Sequence, residues 1–419
     1  MDSKGEPLHV SALGHVRICD LSGQLAGAGA TKILAALGAE VIRVENPRNQ
    51  GRWDMMRGVG PYVDDRRGPN LGGGFNNHNA GKLGVTIDLA DPRGKDLFAD
   101  LVRISDVVTE NFAAGVMERL GFGYESLRAL RDDVVYVSSS GFGADGPYQP
   151  FKTWGPIVQA MSGLTFTSGL PDREPAGWGF SYMDHLGAYS MALAVLVGLH
   201  ARDATGEGQW IDLATTEAAL TLHGPALLDW TVNGRGRRRA GQPNGNHAAY
   251  DEMAPHAAYP ALGEDRWVAI ACRDDDDWAR ARSVFSAPWS DDARWTTLAA
   301  RLAAQDELDE HIAMWTAARD ADDIARDLIA VGVPASPVRT PPERIDHDPD
   351  VAVWGLFPTV EHPEMGSVRV EGLPIHLSET DWAYRRAAPC LGEHNDFVFG
   401  ELLGREADEI AGLRADGVV

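Results

Sequence analysis

Residues 15–45 constrain the fold most. HVRICDLS (15–22) reads as a strand, GQLAGAGA (23–30) as a glycine-rich turn, TKILAALGA (31–39) as a helix and EVIRVE (40–45) as a second strand. A strand, a crossover helix and a strand in so short a run make the two strands parallel and the crossover right-handed. The alternation continues. GVTIDL (84–89) predicts a strand and DPRGKDLFADLVRIS (91–105) a helix with Pro92 near its start. DVVTENF (106–112) predicts a strand, GVMERLGF (115–122) a short helix and DVVYVSSSGF (133–142) another strand. The first 150 residues therefore predict an α/β fold with a doubly wound, Rossmann-like sheet.

A long helical region is expected over 156–230, broken by the turn TGEGQ (205–209). NGRGRRRAGQPNGNHAAYDEMAP (233–255) is dense in Gly, Pro and Arg and marks a boundary. DRWVAIAC (265–272) opens a second, smaller unit, with helices expected around 274–285, 292–304 and 321–331. PASPVRTPPERIDHDPD (334–350) connects it to a tail in which strands return (SVRVEGLPIHL, 367–377), followed by a helix near 392–412.

Charge narrows the partners. The chain has 419 residues, with 38 Lys and Arg against 61 Asp and Glu, a net charge of -23. Such a surface repels nucleic acid and anionic membranes, so an anionic ligand needs a local basic pocket. The three cysteines, Cys19, Cys272 and Cys390, are far apart and form no CxxC pair. Neither a disulfide framework nor a structural zinc site is expected, and a reducing cytoplasm fits best. MDSKGEPLHV has no apolar core of a secretion signal. No apolar run reaches the roughly 18 residues that span a bilayer. Leu186 to Leu199 reads as a buried core helix.

Gly23, Gly27 and Gly29 follow a strand and open a helix, and Glu45 ends the next strand. That pattern suits a dinucleotide, with phosphate at the helix start and ribose on the acid. It equally suits glycines that only permit tight strand–helix packing. Tyr148 and Lys152 have the Tyr-x-x-x-Lys spacing of short-chain dehydrogenases, but Pro150 would break the helix that must carry them. RGRRR (235–239) reads as a solvated loop or an anion contact. RDDDDW (273–278) reads as a solvated helix start, because consecutive acids point to different faces. The His residues form no HExxH pair and no Gly-x-Ser-x-Gly elbow is present. Asp184 stands at the head of the apolar run in SYMDHLGAYSMALAVLVGLHA (181–201). A helix N-cap, a metal ligand, and a nucleophile or base all suit that position.

Several stretches taken together resemble the family III CoA-transferases, the group of formyl-CoA and carnitine CoA-transferases and the related α-methylacyl-CoA racemases. The resemblance rests on VRICDLSGQLAGAGATKILAALGAEVIRVENP, NHNAGKLGVTIDLADPRGKDLFADLVRISDVVTENFAAGVMERLGFGYESL, SSSGFGADGP, MSGLTFTSG, ARDATGEGQWIDLATTEAAL, VGVPASPV and APCLGEHNDFV, in that order. It implies that Asp184 is the nucleophile and that catalysis passes through an aspartyl-CoA thioester. It implies coenzyme A contacts at Gln24, Leu25, Ala26, Asn79, Lys82, Asn111, Arg119 and Ser140. The substrates would be an acyl-CoA and a carboxylic acid, with no permanently bound cofactor and no metal.

It also implies an interlocked, ring-shaped homodimer. Each chain would have a large Rossmann-like domain built from residues 1–225 and 351–419 around a smaller α/β domain at 226–350. Three features depart from the family pattern. Ala28 stands where the family has a proline. Gln24 precedes by one residue the position where formyl-CoA transferases carry a glutamine. GQPNGNH (241–247) is the nearest match to their long glycine run. Where the racemases carry a catalytic histidine, KTWGP holds Trp154, which argues against racemase activity. A racemase, and a CoA-binding subunit without catalysis, are the alternatives.

Overall fold

The computed structural model describes residues 11–51, 53–170, 173–179, 182–236, 245–248 and 252–419. In chain order the first part runs β1 (Arg17–Asp20), α1 (Ala26–Ala36), β2 (Glu40–Glu45), α2 (Gly73–Asn79), β3 (Leu83–Thr86), α3 (Pro92–Arg103), β4 (Val107–Glu110), α4 (Val116–Leu120), α5 (Tyr124–Leu130) and β5 (Val135–Ser140). Next come α6 (Gly155–Met161), α7 (Tyr182–Thr205), β6 (Gln209–Ala214), α8 (Thr215–Leu220) and α9 (Pro225–Asn233). Then follow β7 (His256–Pro260), β8 (Trp267–Ala271), α10 (Asp275–Phe285), α11 (Leu298–Ala303), α12 (Gln305–Thr316), α13 (Ala321–Ala330), β9 (Ala335–Pro337) and α14 (Pro341–Asp346). The last elements are α15 (Pro349–Trp354), the hairpin of β10 (Thr359–His362) and β11 (Gly366–Arg369), a π-helical turn at Asp396–Leu402, and α16 (Ala407–Ala415).

The described residues divide into two units. Those of 1–164, 178–222 and 349–419 form one, and those of 165–177 and 223–348 form the other. The first unit is built on a six-stranded sheet in the order β3-β2-β1-β4-β5-β6. Every pair in it is parallel. This is a doubly wound sheet whose strand order reverses between β1 and β4, the crevice where such folds take ligands. One face of the sheet is covered by Leu97, Phe98 and Leu101 of α3, Leu127 of α5, and Val398, Phe399 and Leu413. Leu34 of α1 and Met191, Val195 and Leu199 of α7 cover the other. Asp91 caps α3 by accepting from Arg93 N at 2.9 Å, and Pro92 opens the helix, as its spacing predicts.

Four expectations change. Helix α1 begins at Ala26, so Gly27 and Gly29 lie inside it and not in a turn. The region expected to be helical from 156 contains β6, whose Trp210 and Asp212 alternate with Ile211 and Leu213 at the strand period. α7 runs 24 residues, beyond the Leu186–Leu199 run, and is long and apolar enough by length and composition to cross a membrane. One of its faces is nonetheless spent on the sheet, where a Cβ on Gly198 would meet Val135 at 2.7 Å and Ile211 at 2.9 Å. In the second unit, RDDDDW does start a helix, with Asp274 accepting from Asp277 N at 2.8 Å. Asp277 itself is fully buried against Arg273 and Arg280, so that run is not simply solvated.

The second unit carries the antiparallel sheet β7-β8-β9. Its core is Trp278, Phe285, Trp295, Ile312 and Leu328. Of RGRRR, residues 237–239 lie outside the described residues, and Arg235 is paired with Asp229 at 2.6 Å. Of GQPNGNH, residues 241–244 lie outside them, and His247 meets Asp309 at 2.7 Å.

Candidate active site

The reversal point of the sheet is closed by the turn between β1 and α1. Asn111, just after β4, reaches across the crevice and takes both groups of Gly23. It accepts from Gly23 N at 2.7 Å and donates to Gly23 O at 3.0 Å. A Cβ on Gly27 would lie 2.4 Å from Ser22 Cβ and 2.8 Å from Asn111 Cγ. Glycine at 27 therefore serves close approach, which the phosphate-loop reading did not require. Gln24 adopts the left-handed region at φ 56°, with its side chain exposed and its N–H donated to Asp54 at 3.2 Å. Leu25 is buried against Met56, Phe75 and Ala388. Helix α1 then starts without any side-chain cap.

A buried ionic network lies behind the turn. Arg43 donates to Ser22 O and to Asp54, and lies 3.6 Å from Glu45. Arg57 donates to Glu45 at 2.8 Å and stacks 3.6 Å from the centre of the Phe75 ring. Glu45 is thereby committed to Arg57, which removes the acid that the dinucleotide reading needed for a ribose. Fully buried Asp20 accepts from Ser22 N (2.9 Å), Thr31 (2.7 Å), Thr109 (3.0 Å) and Lys82 (3.2 Å). Burial alone would raise the Asp20 pKa, but Lys82 and Arg43 outweigh it and hold the carboxyl below its ordinary range. Lys82 also donates to Ala28 O and Asn79 Oδ1, both at 2.9 Å. Its three donors are thus used inside the protein, and burial pushes its pKa down to about 8. Asn79 donates to Phe75 O at 3.0 Å and is fully buried.

Asp184 is the third residue of α7, inside the first turn, and not its N-cap. Its carboxylate rests on Gly155 at the start of α6, where a Cβ would fall 2.4 Å from Asp184 Oδ2. One helical turn on, a Cβ on Gly187 would meet Ala26 Cβ at 3.4 Å and Thr215 Cγ2 at 3.2 Å. The start of α1 therefore lies beside the nucleophile candidate. Thr215 donates to Ser140 O at 3.1 Å and links the end of β5 to the same place. The Ser140 hydroxyl is buried without a partner among the described residues. Arg119 is exposed on α4. Burial raises the Asp184 pKa, and His185 partly offsets this. His185 faces His78 with ring centres 5.8 Å apart. His78 donates through Nδ1 to Gly74 O at 2.9 Å, and its pKa is pushed down to about 4, first by burial.

The expected residues thus sort by placement. Gln24, Ala26, Arg119 and Ser140 reach the carboxyl edge of the sheet with some exposure, whereas Leu25, Asn79 and Lys82 are interior and Asn111 is half-buried. The sequence reading did not single out Arg43, Asp54, Asp20 or Gly155. A signal for Arg43 was present: in EVIRVE, charges two residues apart face one side of a strand that is otherwise apolar. Tyr148 and Lys152 lie in no helix. Among the described residues, no three His, Cys, Asp or Glu side chains are arranged to hold a metal ion. A cavity of about 520 Å³ between α3 and α16 is lined by Arg93, Arg103 and Arg405, each already paired with an acid.

Gly155 gives a direct test of the carboxylate's seat. Gly155→Ala puts a methyl group where Asp184 Oδ2 lies, and the carboxylate must move. Turnover is expected to fall by about 10²-fold, since displacement by about 1 Å costs that much in an oriented reaction. Steady-state kinetics beside a melting curve check this. A variant of normal kcat would show that the seat does not matter.

The same architecture recurs in known proteins. A CAIB/BAIF family protein from Brucella suis superposes with a TM-score of 0.83 at 28% identity, covering 94% of this chain and 99% of that one. The succinyl-CoA–D-citramalate CoA-transferase of Chloroflexus aurantiacus is 35% identical over 97% of this chain and 98% of its own length. The succinate–glutarate CoA-transferase of Agrobacterium fabrum is 33% identical over 93% and 95%. The model of CoA-transferase family III matches residues 13–395, from the approach to β1 through the segment that returns to the sheet. With its sheet, turn and Asp184 helix all inside that match, the chain belongs to CoA-transferase family III and is a CoA-transferase.

Proposed function

We propose that this enzyme moves coenzyme A between two carboxylic acids through a covalent thioester on Asp184. The observation that carries the reading is the seat of Asp184, a half-buried carboxylate on Gly155 beside the uncapped start of α1. In the first step an Asp184 oxygen attacks the thioester carbonyl of the donor. The C–S bond breaks, coenzyme A leaves as thiolate, and a mixed anhydride remains. The thiolate then attacks the Asp184 carbonyl carbon and the anhydride C–O bond breaks. This frees the donor acid and leaves aspartyl-CoA. The acceptor carboxylate reverses both steps. A carboxylate is the suitable nucleophile because the anhydride conserves the acyl activation. No proton need be gained or lost. Burial weakens the solvation of the Asp184 anion, which favours attack. The N–H groups at the start of α1, which take no side-chain cap, are suited to the oxyanion that develops on the carbonyl.

Gln24, Ala26, Arg119 and Ser140 would face the coenzyme. Asn79, Lys82 and Asn111 would act from behind, by holding the turn. The relatives' names carry succinate, citramalate and glutarate, all dicarboxylic acids. The donor and acceptor proposed here are accordingly short dicarboxylic acids, one of them as its CoA thioester. The proposed assembly is the interlocked homodimer. In support, Tyr189, Leu193 and Val197 form an exposed stripe at helical spacing on α7, 53%, 61% and 54% exposed. Cys19, Cys272 and Cys390 are unpaired, which fits the cytoplasm.

The test is intact-mass spectrometry after incubation with succinyl-CoA, formyl-CoA and an aromatic acyl-CoA, with hydroxylamine or borohydride trapping. An adduct that maps to Asp184 with succinyl-CoA is expected. No adduct with any thioester, together with solvent deuterium entering the acyl chain, would replace this reading by a racemase.

A further inference from the structure

We infer that Asp54 is a positioning residue for the transfer reaction, holding Gln24 in its left-handed conformation so that the start of α1 faces Asp184. This rests on the reading of Asp184 as nucleophile. Asp54 is 1% exposed and cannot touch substrate, yet both of its oxygens act on the segment that forms the site. Oδ2 accepts from Gln24 N at 3.2 Å and from Arg43. Oδ1 accepts from Met56 N at 3.0 Å, and Met56 is part of the cluster that seats Leu25. Arg43, held by Asp54, also donates to Ser22 O. Asp54 therefore holds Gln24 directly, Ser22 through Arg43, and the seat of Leu25 through Met56, while Gly23 is held by Asn111.

The restraint has a reason. A residue with a Cβ resists positive φ, and glutamine has no local hydrogen-bonding habit that favours it. Without an acceptor for its N–H, Gln24 would relax towards negative φ. The chain would then enter α1 on a different path, and Ala26 would leave its place beside Gly187. Only the N–H direction and the helix entry depend on this, so the transition state is affected more than ground-state binding of the coenzyme.

The test uses the full chain with Asp54→Asn, which keeps size and one acceptor oxygen but loses the anion, and combines it with Gln24→Gly. Asp54→Asn is expected to lower kcat about 10²-fold while KM for acyl-CoA stays within about three-fold. In a Gln24→Gly enzyme, whose own loss of a side chain facing the coenzyme is measured first, Asp54→Asn is expected to cost about ten-fold less kcat than in the parent, because glycine populates the left-handed region without an anchor. A residue that merely stabilised the fold would show no such rescue from position 24. The inference is overturned if Asp54→Asn turns over like the parent enzyme. It is overturned equally if Asp54→Asn costs the Gln24→Gly enzyme as much kcat as it costs the parent. Failure of the underlying reading is seen separately, as absence of an Asp184 adduct in the unmodified enzyme.

Discussion

Asp184→Asn is expected, on the proposed mechanism, to abolish coenzyme A transfer while leaving the protein folded and no less stable than its parent. The expected loss is roughly 10⁴-fold or more, the scale at which removal of a covalent nucleophile is felt. The amide has the shape to fill the seat on Gly155 but no anion to attack a thioester. Stability is expected to hold because burial raises the Asp184 pKa, which means that the folded protein disfavours the charge that the proposed mechanism needs. The same shift sets a pH dependence. Attack requires the carboxylate, so kcat/KM rises with pH through a pKa above the usual aspartate range, and falls below it as the group protonates. Rapid-quench kinetics and melting curves on parent and variant measure both parts. Residual transfer within ten-fold of the parent would remove Asp184 from the chemistry.

Arg43→Met is expected to produce the largest loss of stability of any single change near the site. Arg43 is fully buried and stands among Asp20, Glu45 and Asp54, all of them buried too. Those carboxylates would remain with less than their compensation, and breaking a buried ion network from one side costs roughly 3–5 kcal/mol. A methionine fills the volume, so the loss reports charge and not a cavity. Urea unfolding followed by tryptophan fluorescence measures it. Arg93→Met makes the control: of its partners at the surface, Asp416 is exposed and Asp91 half-buried, and that variant should unfold almost like the parent. Equal midpoints for the two variants would show that the buried network is not what holds the turn region together.

The parallel sheet was legible because its strands are short apolar runs between helical stretches, and β2 is predicted at its observed bounds, Glu40–Glu45. The start of α1 was not, since Gly27 and Gly29 look like loop residues until Ser22, Asn111 and Ala188 are known to press against them. β6 was hidden because the turn TGEGQ before it reads as a break between helices, and α8 follows it at Thr215 with no loop in between. Asp184 could be singled out as a carboxylate at the head of an apolar run, but local pattern suits a cap as well as a nucleophile. Its position inside the first turn follows from a helix that begins earlier than the apolar run. Asp54 carries no local signal of its role. It acts on Gln24 across 30 positions of chain, and such pairing is a property of tertiary structure.

The first unit is discontinuous in sequence, and this orders its biosynthesis. The face of the sheet that carries Leu97 and Phe98 is completed only by Val398, Phe399, Leu413 and Val418. Two backbone amides beside β3 wait for the same segment: Thr86 N donates to Asn395 Oδ1 at 2.9 Å, and Asp88 N to Val418 O at 2.8 Å. During translation, the strands made first must therefore stay open on one side while the whole of 223–348 is synthesised. The nascent sheet is exposed to aggregation for that interval, so shielding by a ribosome-associated chaperone would matter more for this chain than for one whose domains close in order.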